Sequence, residues 1–215
     1  MTYTRPDICY ATKELARDLT APTTHSQQKL KHLLRYLQGT KNLNYIVRPA
    51  SMSTKDEIQV DVDTDADWAG CPATRKSTSE FVVQVAGATV HFGARTQAVV
   101  ALSSAESELY AIGTGATEAL HVRNFLQEAM STTRVMTRIH TDSTSGKSIA
   151  TRIGSSKKAK HIELKHLFVQ QLVQNGILSI HKVGALDNLA DIFTKYIGAD
   201  TLRRRLYGVG LHGQH

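Results

Sequence analysis

The stretch Ile58-Gln59-Val60-Asp61-Val62-Asp63-Thr64-Asp65-Ala66-Asp67-Trp68 alternates apolar and polar residues and then runs into a group of acids. Alternation of Ile58, Val60 and Val62 with polar neighbours predicts a β-strand with one buried face. The same period of two puts Asp63, Asp65 and Asp67 together on the other face, so the position of any ligand among them stays open by one register step. Downstream, residues 81–85 and 89–92 flank Gly87, which reads as a hairpin turn.

After the hairpin the period changes from two to nearly four. Leu109, Ile112, Ala116, Ala119, Leu120 and Leu126 predict a long helix over residues 103–130, with Ser103 or Ser104 as cap and Glu106 as the capping-box acid. A strand is expected at 138–142, short helices at 145–151 and 162–174, and a strand at 177–183. A final helical stretch should start near Asp187 and run past Lys195. Upstream, Ile8, Ala11, Leu15 and Leu19 form one helical stripe behind Pro6. Leu30, Leu33, Leu34 and Leu37 form a second that ends at Gly39.

This order predicts an α/β fold whose five-stranded mixed sheet has three antiparallel and then two parallel strands, flanked by helices. A helical unit over residues 1–49 would precede the main domain of 58–198, with 199–215 as a tail. In open α/β sheets a site gathers at the carboxyl ends of the strands. Asp65 and Asp142 fall there, and Glu108 and Asp191 can approach the same edge. Four acids at element ends suit a hard cation such as Mg²⁺, which takes oxygen ligands.

The chain has 215 residues, with 26 Lys and Arg against 19 Asp and Glu and a formal charge of +7. That excess favours polyanionic partners through counterion release. Lys157, Lys158 and Lys160, and Arg75 with Lys76, fall on predicted loops where they could reach a phosphate backbone. No run approaches the roughly 18 apolar residues of a membrane span, and no secretory signal is visible. Cys9 and Cys71 form neither a disulfide framework nor a zinc pattern, so a reducing interior is expected.

Several familiar patterns fail. His161 and His166 are five apart, whereas helical zinc ligands need a spacing of four. Ser103-Ser104 lacks the Gly-x-Ser-x-Gly elbow of serine hydrolases. Gly113-Thr114-Gly115 falls inside a helix and is no phosphate loop. His140 lies two residues before Asp142 and reads as a packed or solvated histidine.

Taken together, Asp65-Ala66-Asp67-Trp68-Ala69-Gly70, Arg75-Lys76-Ser77-Thr78-Ser79, residues 100–108, Lys160-His161-Ile162 and residues 190–195 resemble the RNase H region of Ty1/copia-type retrotransposon Pol polyproteins. Residues 4–8 and 34–40 resemble the segment joining reverse transcriptase to that region. The resemblance implies an RNase H-like fold and endonucleolytic hydrolysis of the RNA strand of RNA–DNA hybrids. It implies Asp65, Glu108, Asp142 and Asp191 as ligands of two Mg²⁺ or Mn²⁺ ions, with no small-molecule cofactor. The hybrid and the parent reverse transcriptase are the implied partners, no membrane is involved, and the location is intracellular, in a virus-like particle if the element is active.

The sequence departs from the family pattern at Cys71, at Glu80, and in residues 182–188, which lack the histidine often found before the last acid. The rival expectations are a catalytically inactive, nucleic-acid-binding relic, and an integrase-type nuclease. The missing Cys/His zinc module and the order D-E-D-D speak against the integrase.

Overall fold

The computed structural model describes residues 4–49, 57–130, 134–152, 163–193 and 199–213. Its centre is the strand announced by the Ile58 alternation. Strand β2 (Glu57–Asp67) pairs antiparallel with β3 (Thr78–Val85), which pairs antiparallel with β4 (Ala88–Thr96). On its other side β2 runs parallel to β5 (Arg134–Thr141), and β5 runs parallel to β6 (Ser179–Lys182). The sheet order is thus β4-β3-β2-β5-β6, the five-stranded mixed sheet expected from the sequence. Ala86 and Gly87, at φ 49° and 79°, form the two-residue turn between β3 and β4, the left-handed pairing that suits strand twist.

Helix α3 (Ser104–Ala129) covers one face of the sheet. Val60 and Val62 of β2 and Phe81 and Val83 of β3 meet its Leu109, Ile112, Ala116 and Ala119, all essentially without exposure. Gly115 is where this layer closes most tightly. A Cβ there would stand 2.4 Å from Thr64 Cγ2. Ser103 caps α3, accepting from Glu106 N–H at 3.2 Å, while Glu106 Oε2 accepts from Leu102 N–H at 2.8 Å. Glu106 is therefore the helix's capping acid. Helices α4 (Thr144–Thr151) and α5 (Glu163–Gln174) complete this layer, which Ala150, Val169 and Leu172 join to the core.

The opposite face is covered by the two ends of the chain. A 3-10 turn (Pro6–Ile8) leads into α1 (Cys9–Arg17), which touches β4. Cys9, Val82, Ile192 and Val209 form a second small core. Helix α2 (Thr24–Gly39) has a capping box built by Thr23 and Ser26. Leu19, expected on the stripe of α1, lies past its end and is exposed.

Within residues 199–215, expected as a tail, helix and strand lie in 199–213. Residues Ala199–Gly208 form α6, and β7 (Leu211–Gly213) pairs antiparallel with β1 (Leu43–Tyr45). Burial of Leu206, Val209 and Leu211 drives this, since their apolar surface has no other cover. Tyr45 then ties the small sheet to the large one, its hydroxyl donating to Thr89 O at 2.6 Å. The helix expected from Asp187 is a 3-10 turn, Leu189–Phe193. No helix among the described residues is long and apolar enough to cross a membrane.

Candidate metal centre

Three of the four expected acids converge. Asp65, Glu108 and Asp142 each offer a carboxylate oxygen, and these atoms lie within 4.8 Å of one another. Asp65 stands near the carboxyl end of β2, on the central strand. Asp142 follows the last residue of the parallel neighbour β5, one residue before Ser143, which caps α4 by accepting from Gly146 N–H at 2.9 Å. Glu108 reaches in from the second turn of α3. Its placement depends on Gly146, where a Cβ would come within 3.0 Å of Glu108 Cβ and 3.1 Å of Ser143 Oγ.

The electrostatics of this corner are unbalanced. Burial, and then the negative charges of Asp65 and Asp142, push Glu108 up to about 9. Its Oε2 is buried without a hydrogen-bond partner. A divalent cation would reverse both penalties, giving the orphaned oxygen a ligand and the three carboxylates a counter-charge. The donor set is all oxygen, which matches Mg²⁺ or Mn²⁺ rather than a soft metal.

Asp191, the fourth expected acid, is engaged elsewhere. It forms an ion pair with Arg205, a buried residue of α6 that also donates to Ala185 O at 3.0 Å. Its turn is nonetheless tied to the site. Asn188, fully buried, donates from Nδ2 to Thr64 O at 3.0 Å and accepts from Ala190 N–H at 3.1 Å. Nothing in the sequence pairs Asn188 with a carbonyl 124 residues away.

The neighbouring acids have other surroundings. Asp61 accepts from Arg138 at 2.8 Å and meets His140 Nε2 at 2.9 Å. These partners hold it below the ordinary carboxylate range although burial pushes upward. Asp63 is pushed up to about 6 by burial, against the pull of His140. Glu80, cross-strand from Asp65, is fully buried, both carboxyl oxygens lack hydrogen-bond partners, and burial and Asp65 raise it well above the ordinary range. Its sequence signal was the departure at that position, which does not predict burial.

Of the expected phosphate-contacting cations, Arg75 is exposed and Lys76 half-buried on the β2–β3 connection. Lys157, Lys158 and Lys160, with His161, lie outside the described residues. Cys71, the other departure, sits in the same connection. Burial would raise its thiol, but Thr74 and the Arg17 guanidinium bring it down to about 7.

No family model matches the sequence. The chain is 28% identical over 195 residues to the retrovirus-related Pol polyprotein from transposon RE1 of Arabidopsis thaliana, covering 91% of this chain and 13% of that protein. It is 27% identical over 212 residues to the Pol polyprotein from transposon TNT 1-94 of Nicotiana tabacum, covering 99% and 15%. Secreted RxLR effector protein 161 of Plasmopara viticola is 35% identical over 120 residues, 56% of this chain and 81% of that protein. Among solved structures, the N-terminal RNase H domain of a Mycobacterium tuberculosis protein is 15% identical, with a TM-score of 0.46, covering 70% of this chain and 97% of that one. The chain spans about one-seventh or less of the length of the Pol polyproteins it matches. The chain is thus similar to retrovirus-related Pol polyproteins of transposons over 91–99% of its length.

Proposed function

We propose that this chain is a ribonuclease H-type nuclease that hydrolyses the RNA strand of RNA–DNA hybrids with divalent cations. The observation that carries this reading is the convergence of Asp65 and Asp142, at adjacent strand ends, with Glu108 of α3 within 4.8 Å, Glu108 being half-buried and one of its oxygens buried and unpartnered. Two Mg²⁺ or Mn²⁺ ions at such a site supply an activated water and neutralise charge on the phosphodiester. The chain's own residues do the rest. Asp65 and Asp142 present carboxylates from the rigid edge of the sheet. Glu108, protonated in the metal-free protein, would give up its proton and serve as a ligand from α3. Arg75 and Lys76, with Lys157, Lys158 and Lys160, hold the hybrid's backbone by charge, which gives affinity without base preference. Asp191 joins the set when its pair with Arg205 opens.

The parent context in this reading is a Pol polyprotein, with its reverse transcriptase portion as the natural partner and a virus-like particle as the location. A second reading, an inactive relic that still binds nucleic acid, draws on the Asp191–Arg205 pair, which engages the fourth acid away from the other three. Incubating the purified chain with a labelled RNA–DNA hybrid and Mg²⁺ or Mn²⁺ separates the two. The nuclease reading expects cleavage of the RNA strand that Asp65→Asn abolishes. Absence of cleavage, or equal cleavage by that variant, overturns it, and binding without cleavage supports the relic.

A further inference from the structure

Trp68 is half exposed, at 50%, although its indole is firmly placed. It stands three residues beyond Asp65, and its Nε1–H donates to Ala101 O at 3.1 Å. Ala101 is buried and lies just ahead of α3, the helix that carries Glu108. The indole thus bridges the two chain segments that deliver two of the three clustered acids.

Both segments are held rigidly. In the β2–β3 connection Ala69 and Arg75 adopt φ 54° and 55°, an uncommon conformation for residues with a side chain. Hydrogen bonds enforce it: Ala69 N–H to Ser77 Oγ at 2.9 Å, Arg75 N–H to Cys71 O at 2.8 Å, and Cys71 N–H to Lys76 O at 3.1 Å. The segment before α3 is pinned by buried Gln97, whose Nε2 donates to Ser79 Oγ and Ser107 O, both at 2.9 Å. Between these anchors the loop turns Val99, Val100 and Leu102 outward, at 48%, 46% and 74% exposure. An apolar surface on fixed backbone beside a charged site is a poor choice for solvent and marks a contact.

We propose that Trp68, with Val99, Val100 and Leu102, is a platform on which a nucleobase or sugar of the bound strand packs, next to the phosphodiester at the acid cluster. This rests on the nuclease reading and adds the residue that positions the strand. An aromatic face accepts any base, so the contact matches the sequence-tolerant attraction of the chain's positive charge. Arg75 and Lys76 lie in the same connection as Trp68, so one short segment carries both the aromatic surface and cations for the backbone.

Trp68 is the one tryptophan of the chain, so its fluorescence reports on this contact alone. A fluorescein-labelled RNA–DNA hybrid is titrated with Glu108→Gln protein in Mg²⁺ to stop turnover. Hybrid anisotropy and tryptophan emission are read in parallel. Saturable quenching that tracks the anisotropy is expected. Anisotropy without quenching overturns the platform and leaves the nuclease reading standing, whereas no binding at all overturns both. In the otherwise unaltered chain, Trp68→Ala is expected to raise KM for cleavage about tenfold, within the range of one stacked base, with kcat changed less than about twofold. Trp68→Phe should recover most of that loss, and Val100→Ser should weaken binding about threefold. Equal KM for Trp68→Ala and the unaltered chain, or a loss confined to kcat, overturns the proposal.

Discussion

Asp61 and Asp65 sit four residues apart on the same strand and face, yet they have opposite surroundings. Asp61 is matched by Arg138 at 2.8 Å and His140 at 2.9 Å from the neighbouring strand, and those partners hold its carboxyl low. At Asp65 the strand end gathers Glu108 and Asp142, and Glu108 is driven up to about 9. Asp61 is neutralised by Arg138, directly opposite on β5, and by His140 two residues further along. The uncompensated corner carries an energetic cost that a bound cation removes, which is why it reads as a site rather than as surface.

The contrast can be broken first at the acids. Asp65→Asn or Glu108→Gln should lower hybrid cleavage by more than the ~10–100-fold that outer partners of a metal typically cost. Far-UV circular dichroism should stay unchanged. Retained cleavage would mean that the convergence is incidental. The next effect concerns the spacing that builds the corner. Gly146→Ala forces a methyl group to within 3.0 Å of Glu108 Cβ and should cut activity about tenfold by moving that carboxylate. Gly115→Ala, against Thr64, should cost about 1–3 kcal/mol of stability by overpacking, measured by urea denaturation.

A third prediction separates the two carboxylates by pH. Glu108 has its folded value raised from 4.5 to about 9, so its contribution is fully present below about 4.5 and lost as pH rises through 9. Metal-free protein should therefore lose thermal stability over that window, and Glu108→Gln should flatten the loss. Asp61 has its folded value lowered from 3.8, so its contribution is present above that value and lost as pH falls through the lowered one. The smallest effect is that of Asp61→Asn, about 1 kcal/mol or less at pH 7, because Arg138 is 44% exposed and its pair is screened by water. A larger loss from Asp61→Asn than from Gly115→Ala would reverse the roles assigned to the two regions.

The parts legible in the sequence were those set by local periodicity. The alternation from Ile58 gave β2, the Gly87 turn gave the hairpin, and the apolar stripe from Leu109 gave α3 to within a residue at each end. Convergence of Asp65, Glu108 and Asp142 followed from strand order, because parallel β2 and β5 end on the same edge. What stayed hidden depends on partners distant in sequence. A short strand near residues 43–47 was legible, but its pairing as β1 with β7, some 170 residues away, leaves no local trace. Arg205 lies in a helix with no apolar run to announce it, so its hold on Asp191 could not be foreseen. Glu80 occupies a buried strand position that alternation alone would assign to an apolar residue. The bond from Trp68 to Ala101 likewise joins two loops, where backbone geometry leaves no periodic trace.

Whether Asp65, Glu108 and Asp142 form a cation site is decided by calorimetric titration of Mn²⁺ into the chain at pH 7. Saturable binding is expected, releasing close to ~1 proton per site, detected by comparing buffers of different ionisation enthalpy, because the cation displaces the proton held by Glu108. Glu108→Gln should lose both the proton release and most of the affinity. No measurable binding, or binding by Glu108→Gln equal to that of the unaltered chain, would contradict it.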